Sequence, residues 1–209
     1  MTEIKDKSID SFLQELASKQ ATPGGGSVAA LLGAQATALV SMVCNLTLGK
    51  PKYAAVETEM QALLLQSETL RATFIDMIKA DVDSFNQLMA CYGLPKSNDQ
   101  EKTQRSEAIQ KALKEATIVP MECARACSQA IQLSQVAAEK GNLGVISDAG
   151  VAVMAAYAGL KSAVLNVQIN AASLHDREFA DAKLSELQTI VDNSESAVKH
   201  IYQTVSNKL

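Results

Sequence analysis

A 209-residue chain with a net charge of −4 and a pI near 5.3 offers no basic surface on which nucleic acid would condense. With 10 glycines, 4 prolines, no tryptophan and 4% aromatic residues, it lacks the turns and the β-branched or aromatic runs of a sandwich or barrel. A single all-α domain over residues 1–209 is expected instead: a multi-helix bundle in which the thiols are small core residues.

Ile9, Phe12, Leu13, Leu16 and Ala17 recur at helical spacing and predict a short amphipathic helix. The first twenty residues are charged and amphipathic rather than a secretory leader, so a cytoplasmic location with reduced Cys44, Cys91, Cys123 and Cys127 is expected. Pro23 and the triplet Gly24, Gly25 and Gly26 then open a charge-free stretch, Val28 to Leu48. A glycine run at a helix start lets backbone N–H groups converge on something negative, which makes Gly24, Gly25, Gly26 and Ser27 candidate ligand contacts. The helix that follows is small and apolar all round (Ala29, Ala30, Gly33, Ala34, Ala36, Ala38), and a helix without a polar face belongs at a bundle's centre. It is long enough to cross a bilayer. Ala, Gly, Ser and Thr dominate it, however, Gln35 and Asn45 lie inside, and no second strongly apolar span is read, so no membrane partner is expected. Lys50 and Lys52 form its basic exit.

Lys52 to Tyr92 reads as one long helix stopped by Gly93 and Pro95. Phe74, Ile78, Val82, Phe85, Leu88 and Met89 make one stripe on it, and Asp81 falls inside that stripe. Asp83 lies on the opposite side with Asp76 and Gln87 and is expected at the surface. A carboxylate on an apolar face is costly unless it is paired, hydrogen-bonded or used. Asp81 is therefore either an ion-pair or helix-end contact in the core or a functional group.

In the polar connection Leu94–Arg105, Ser97 and Gln100 have capping-box spacing, and Lys96, Lys102 and Arg105 cluster. The next helix runs to Val119, where Pro120 is expected to kink or break it, and continues from Met121 to Glu139. Cys123 and Cys127 stand one turn apart without a nearby histidine, so no metal site is expected. Gly141–Asp148 is a second loop. Ser147 is placed to cap the helix Ala149–Ala172, and Asp148 to complement its dipole. That helix is again small and apolar. Asn166 and Asn170 share one face of it, and buried amides of this kind bond a neighbouring backbone or a ligand. Lys161 is expected to reach out to solvent. Asp176 is expected to cap a closing helix that runs to about Asn207. Two apolar central helices are hard to bury in one bundle of this size, which points to a homodimer.

PGGGSVAALLGAQATALVSMV, LTLGKPKY, DVDSF, LPK…R, VP, GN…SD and LNVQIN occur in that order. Together they resemble the cyclodeaminase/cyclohydrolase family that acts on one-carbon tetrahydrofolates, from the first helix to about Phe179. The resemblance implies an all-helical homodimeric enzyme with no cofactor beyond its tetrahydrofolate substrate. One branch closes 5-formimidoyltetrahydrofolate to 5,10-methenyltetrahydrofolate and releases ammonia; this is the leading expectation. The other, methenyltetrahydrofolate cyclohydrolase, opens the methenyl bridge with water to give 10-formyltetrahydrofolate. Asp81 stands at the family's Asp position, which implies an acid/base and cation-stabilising role, and Asp148 of the SD motif is the second candidate. Gly24 to Ser27 are implied to bring backbone donors to the substrate, Lys50, Lys96 or Arg105 to meet its glutamate tail, and Asn142, Asn166 and Asn170 to read the pterin. Pro51 interrupts a basic run that is often continuous in the family. A non-catalytic folate-binding or scaffold dimer is the reading from another class.

Overall fold

Six α-helices follow one another in the computed structural model, which describes residues 3–209: α1 (Ile9–Leu16), α2 (Gly25–Asn45), α3 (Glu57–Tyr92), α4 (Asp99–Lys140), α5 (Ile146–Ala172) and α6 (Arg177–Ser206). There is no strand among the described residues. The two small-residue helices are central, as expected. Ala36 and Val40 of α2 and Ala152, Ala156 and Ala163 of α5 are wholly buried. The pair runs antiparallel: Gly25 at the start of α2 lies against Asn166 near the end of α5, while Asn142, just before α5, bonds Leu46 O beyond the end of α2. Close approach is what the small residues permit. A Cβ on Gly159 would stand 3.0 Å from both Ala29 O and Cys127 Sγ.

α3 lies antiparallel along α2, with the Phe74 ring filling the hollow over Gly33. Beside it, Ser41 Oγ donates to Ser67 Oγ (3.0 Å), which donates to Thr37 O (2.7 Å), so the polar groups at this buried contact are satisfied. Of the predicted α3 stripe, Phe74, Ile78 and Leu88 are buried, but Met89 is exposed. Asp83 is exposed and paired with Lys79, Lys161 reaches Glu195 at the surface (3.2 Å), and Asp176 caps α6 by accepting from Phe179 N (3.0 Å). All three match the sequence reading.

Several expectations are corrected. Of the kink or break expected at Pro120, the break does not occur: α4 is continuous from Asp99 to Lys140. A proline leaves the carbonyl four residues earlier without its helical donor; here Asn170 Nδ2 on α5 donates to that carbonyl, Ala116 O, at 2.7 Å. Asn98, not Ser97, caps α4, accepting from Glu101 N (2.9 Å) while Glu101 accepts from Ser97 N (2.7 Å). Ser147 does not cap α5; the helix starts at Ile146 with no side-chain cap, so Ser147 and Asp148 sit in its first turn. Nor is α2 the only apolar span: the segment 143–172 is also long and apolar enough to cross a bilayer. Packing distinguishes the two, since α2 is mostly buried while α5 leaves Val151, Met154, Leu165 and Ile169 exposed in a stripe beside α2.

The Asn170–Ala116 bond carries a test. Asn170→Ala is expected to lower stability by about 1–3 kcal/mol, the cost of an unsatisfied buried carbonyl. In a Pro120→Ala background, which restores an N–H donor to Ala116 O, the same substitution is expected to cost much less. Denaturant melts of the four proteins measure this coupling.

Candidate active site

α2 begins without a side-chain cap of its own, since its N-cap is Gly24. Its first turn is met by Asp81 from α3. Ser27 Oγ donates to Asp81 Oδ2 at 2.9 Å, and the Ser27 backbone N–H bonds the same carboxylate. The anion expected over the glycine triplet is thus the protein's own side chain, held at the positive end of a central helix. Glycine is required at 26 because a Cβ there would overlap the Asp81 carboxyl group.

The half-buried carboxylate faces a crevice walled by Gly26, Ala30, Met77, Pro120, Cys123 and Ala163. The crevice volume is about 10 Å³, room for about one water. No cation pairs with Asp81 among the described residues. Burial pushes its carboxyl above the ordinary range, against the downward pull of the Ser27 hydroxyl and backbone N–H. Ser27→Ala removes one of those two donors. Its acid limb in a pH–rate profile is expected to move to higher pH if the ionised carboxylate is the working form.

The predicted site residues divide. Gly24, Gly25, Gly26, Ser27, Asp81 and Asn166 come together at the N-terminus of α2. The Asn166 side chain lies against Gly25, with Nδ2 donating to Ser162 O (2.9 Å). Asn170 is nearby, but its N–H is committed to Ala116 O. Lys50, Asn142 and Asp148 belong to the other end of the bundle, beyond the C-terminus of α2. Asp148 is ~27 Å along α5 from Asn166 at 1.5 Å per residue. Asn142 ties loops together there: Nδ2 donates to Leu46 O (2.8 Å) and Oδ1 accepts from Gly144 N (3.0 Å). Arg105 closes the α3–α4 turn by donating to Tyr92 O (3.0 Å), and Lys96 is exposed in that turn. Within one chain, therefore, neither the basic candidates nor Asp148 stand beside Asp81. Met77, Pro120 and Cys123 were not among the predicted site residues; Pro120 had a signal in the VP motif, and Met77 had one in lying one turn before Asp81 on the same face.

The formiminotransferase-cyclodeaminase family model matches residues 8–189. The chain belongs to this family. Within the formiminotransferase-cyclodeaminase family, a methenyltetrahydrofolate cyclohydrolase of Methylorubrum extorquens is 52% identical over 204 residues, 98% of each chain. A formimidoyltransferase-cyclodeaminase of Rattus norvegicus is 31% identical over 193 residues, which are 92% of this chain and 36% of the rat protein. The crystal structure of formiminotetrahydrofolate cyclodeaminase from Thermotoga maritima superposes with a TM-score of 0.82 at 31% identity, covering 99% of this chain and 98% of that one. The family's named members are enzymes of folate one-carbon chemistry, and their fold is the all-helical one described here.

Proposed function

We propose that this chain is a one-carbon tetrahydrofolate enzyme that hydrolyses 5,10-methenyltetrahydrofolate to 10-formyltetrahydrofolate, with Asp81 as its acid/base. The observation that carries the reading is an unpaired carboxylate set among apolar side chains, where a delocalised cation gains more than it would in water. The 52% identity to a cyclohydrolase over the full chain gives hydrolysis the greater weight.

The methenyl bridge carries one positive charge spread over N5, the bridge carbon and N10. Ionised Asp81 stabilises that charge on binding. Water adds to the bridge carbon as Asp81 takes one of its protons, leaving a neutral carbinolamine. The N5–carbon bond then breaks: the hydroxyl proton is passed to N5, the oxygen becomes the formyl carbonyl on N10, and one proton leaves to solvent. Charge and atoms balance, and the raised carboxyl pKa suits a group that both accepts and returns a proton.

Cyclodeamination is the second reading, favoured by the full-length match to the Thermotoga maritima cyclodeaminase. N10 attacks the carbon of the protonated formimidoyl group, Asp81 moves the N10 proton to the departing amino group, and ammonia leaves the same cation behind. Methenyl absorbance separates the two: hydrolysis makes it decay faster than in a no-enzyme control, and deamination makes it grow from 5-formimidoyltetrahydrofolate. A non-catalytic folate-binding protein would do neither.

The reading includes no cofactor beyond the folate and a cytoplasmic location, in keeping with four free thiols. It also includes a homodimer. The apolar stripe Val151, Met154, Leu165 and Ile169 needs covering. A two-fold pairing with α2 helices antiparallel would set the Lys50, Asn142 and Asp148 end of one subunit against the Asp81 end of the other.

A further inference from the structure

The crevice at Asp81 is too small for a pterin, yet it shares the Met77 side of its wall with a much larger space. On α3 the residues before Asp81 at four-residue steps are Met77, Thr73, Thr69 and Leu65, one continuous ridge ~24 Å long to Asp81 at 1.5 Å per residue. With Arg125 and Gln129 of α4, that ridge walls an open groove of about 650 Å³, within the range of pockets that bury drug-sized ligands. Met77 borders both spaces. Its unbranched thioether can turn aside without backbone movement.

Resting on the tetrahydrofolate reading above, we propose that this groove holds the p-aminobenzoyl-glutamate portion of the substrate and presents the one-carbon bridge to Asp81 past Met77. Leu65 and the methyls of Thr69 and Thr73 offer an apolar bed for the benzoyl ring, and the Gln129 amide matches the amide linkage that follows it. Arg125 meets the glutamate carboxylates. Its guanidinium donates from Nη1 to Glu122 and from Nε and Nη2 to Glu186. Three of its five N–H groups are engaged, which leaves two for an incoming carboxylate. Lys183 also meets Glu186 (3.3 Å), so two cations face two carboxylates and the cluster has no net charge to repel the tail.

The test uses intact protein and two substrates, 5,10-methenyltetrahydrofolate and the corresponding methenyltetrahydropteroate, which lacks glutamate. Arg125→Gln is expected to lower the ratio of kcat/KM for the first substrate over the second by about tenfold, the scale of one charge-assisted hydrogen bond. Gln129→Trp, which fills the groove, is expected to raise KM for both substrates while leaving the Asp81-dependent acid limb in place. Unchanged KM values in both variants would overturn the groove assignment while leaving the catalytic reading intact, provided Asp81→Asn is inactive. An equal loss on both substrates from Arg125→Gln would assign that residue to helix packing and overturn its place on the tail. Failure of the wild-type protein to turn over or bind either substrate would remove the functional reading and the groove proposal with it.

Discussion

Asp81→Asn is expected to lower kcat for methenyl hydrolysis by roughly a hundredfold to ten-thousandfold, the range for loss of a positioned acid/base. Asparagine keeps the size of the side chain and one oxygen for Ser27 to bond, so the variant is expected to fold. Both the negative charge facing the substrate cation and the site that takes and returns a proton are lost. Stability should respond with a sign that can be checked. Burial raises the native carboxyl pKa above the unfolded value, so the native state holds more protons across that interval and stability falls as pH rises through it. Ionised Asp81 is therefore a cost to the native state, softened by the α2 N-terminus. Relative to Asp81→Asn, the wild type is expected to be most stable below its unfolded-state pKa and to lose ground as pH rises through the raised native one. Parallel denaturant titrations at several pH values measure this directly.

Phe74→Ala is expected to destabilise the protein by about 3–5 kcal/mol, the usual cost of emptying an aromatic core site. Phe74 is wholly buried, and its ring occupies the hollow left by Gly33 where α2 and α3 touch. The consequence reaches the site because the same contact sets how α3 presents Asp81 to the first turn of α2, two helical turns further on. Surviving Phe74→Ala protein is thus expected to show a weakened Ser27–Asp81 bond and a reduced kcat. A Phe74→Leu, Gly33→Ala pair, which trades ring volume for a methyl, is expected to recover part of both. A denaturation midpoint that falls with an unchanged m-value identifies the effect as loss of stability rather than a changed denatured state.

Much of this architecture was legible in the amino-acid order because helices report themselves through local periodicity. The stripe through Phe74 and Ile78 singled out Asp81, and the opposite phase of Asp83 placed it at the surface beside Lys79. Partnerships between distant residues left no such trace. Asp81 serves as the missing cap of α2 across 54 positions, and Asn170 serves Pro120's orphaned carbonyl, Ala116 O, across another 54. Pro120 alone predicts a kink or a break; the neighbour that supplies the donor lets the helix run on through it. The basic and amide candidates were drawn toward Asp81 by shared motif membership, whereas an antiparallel bundle sends Lys50, Asn142 and Asp148 to its other end. The α5 span likewise reads as soluble-core or membrane helix by composition, and the distinction rests on what packs against it.

The most direct measurement is a crystal structure of the Asp81→Asn protein with 5,10-methenyltetrahydrofolate bound. The bridge carbon is expected at the mouth of the α2 crevice, in contact with a water that is hydrogen-bonded to residue 81. A bridge carbon seated elsewhere, with residue 81 still bonded only to Ser27, would make that carboxylate a helix cap and nothing more.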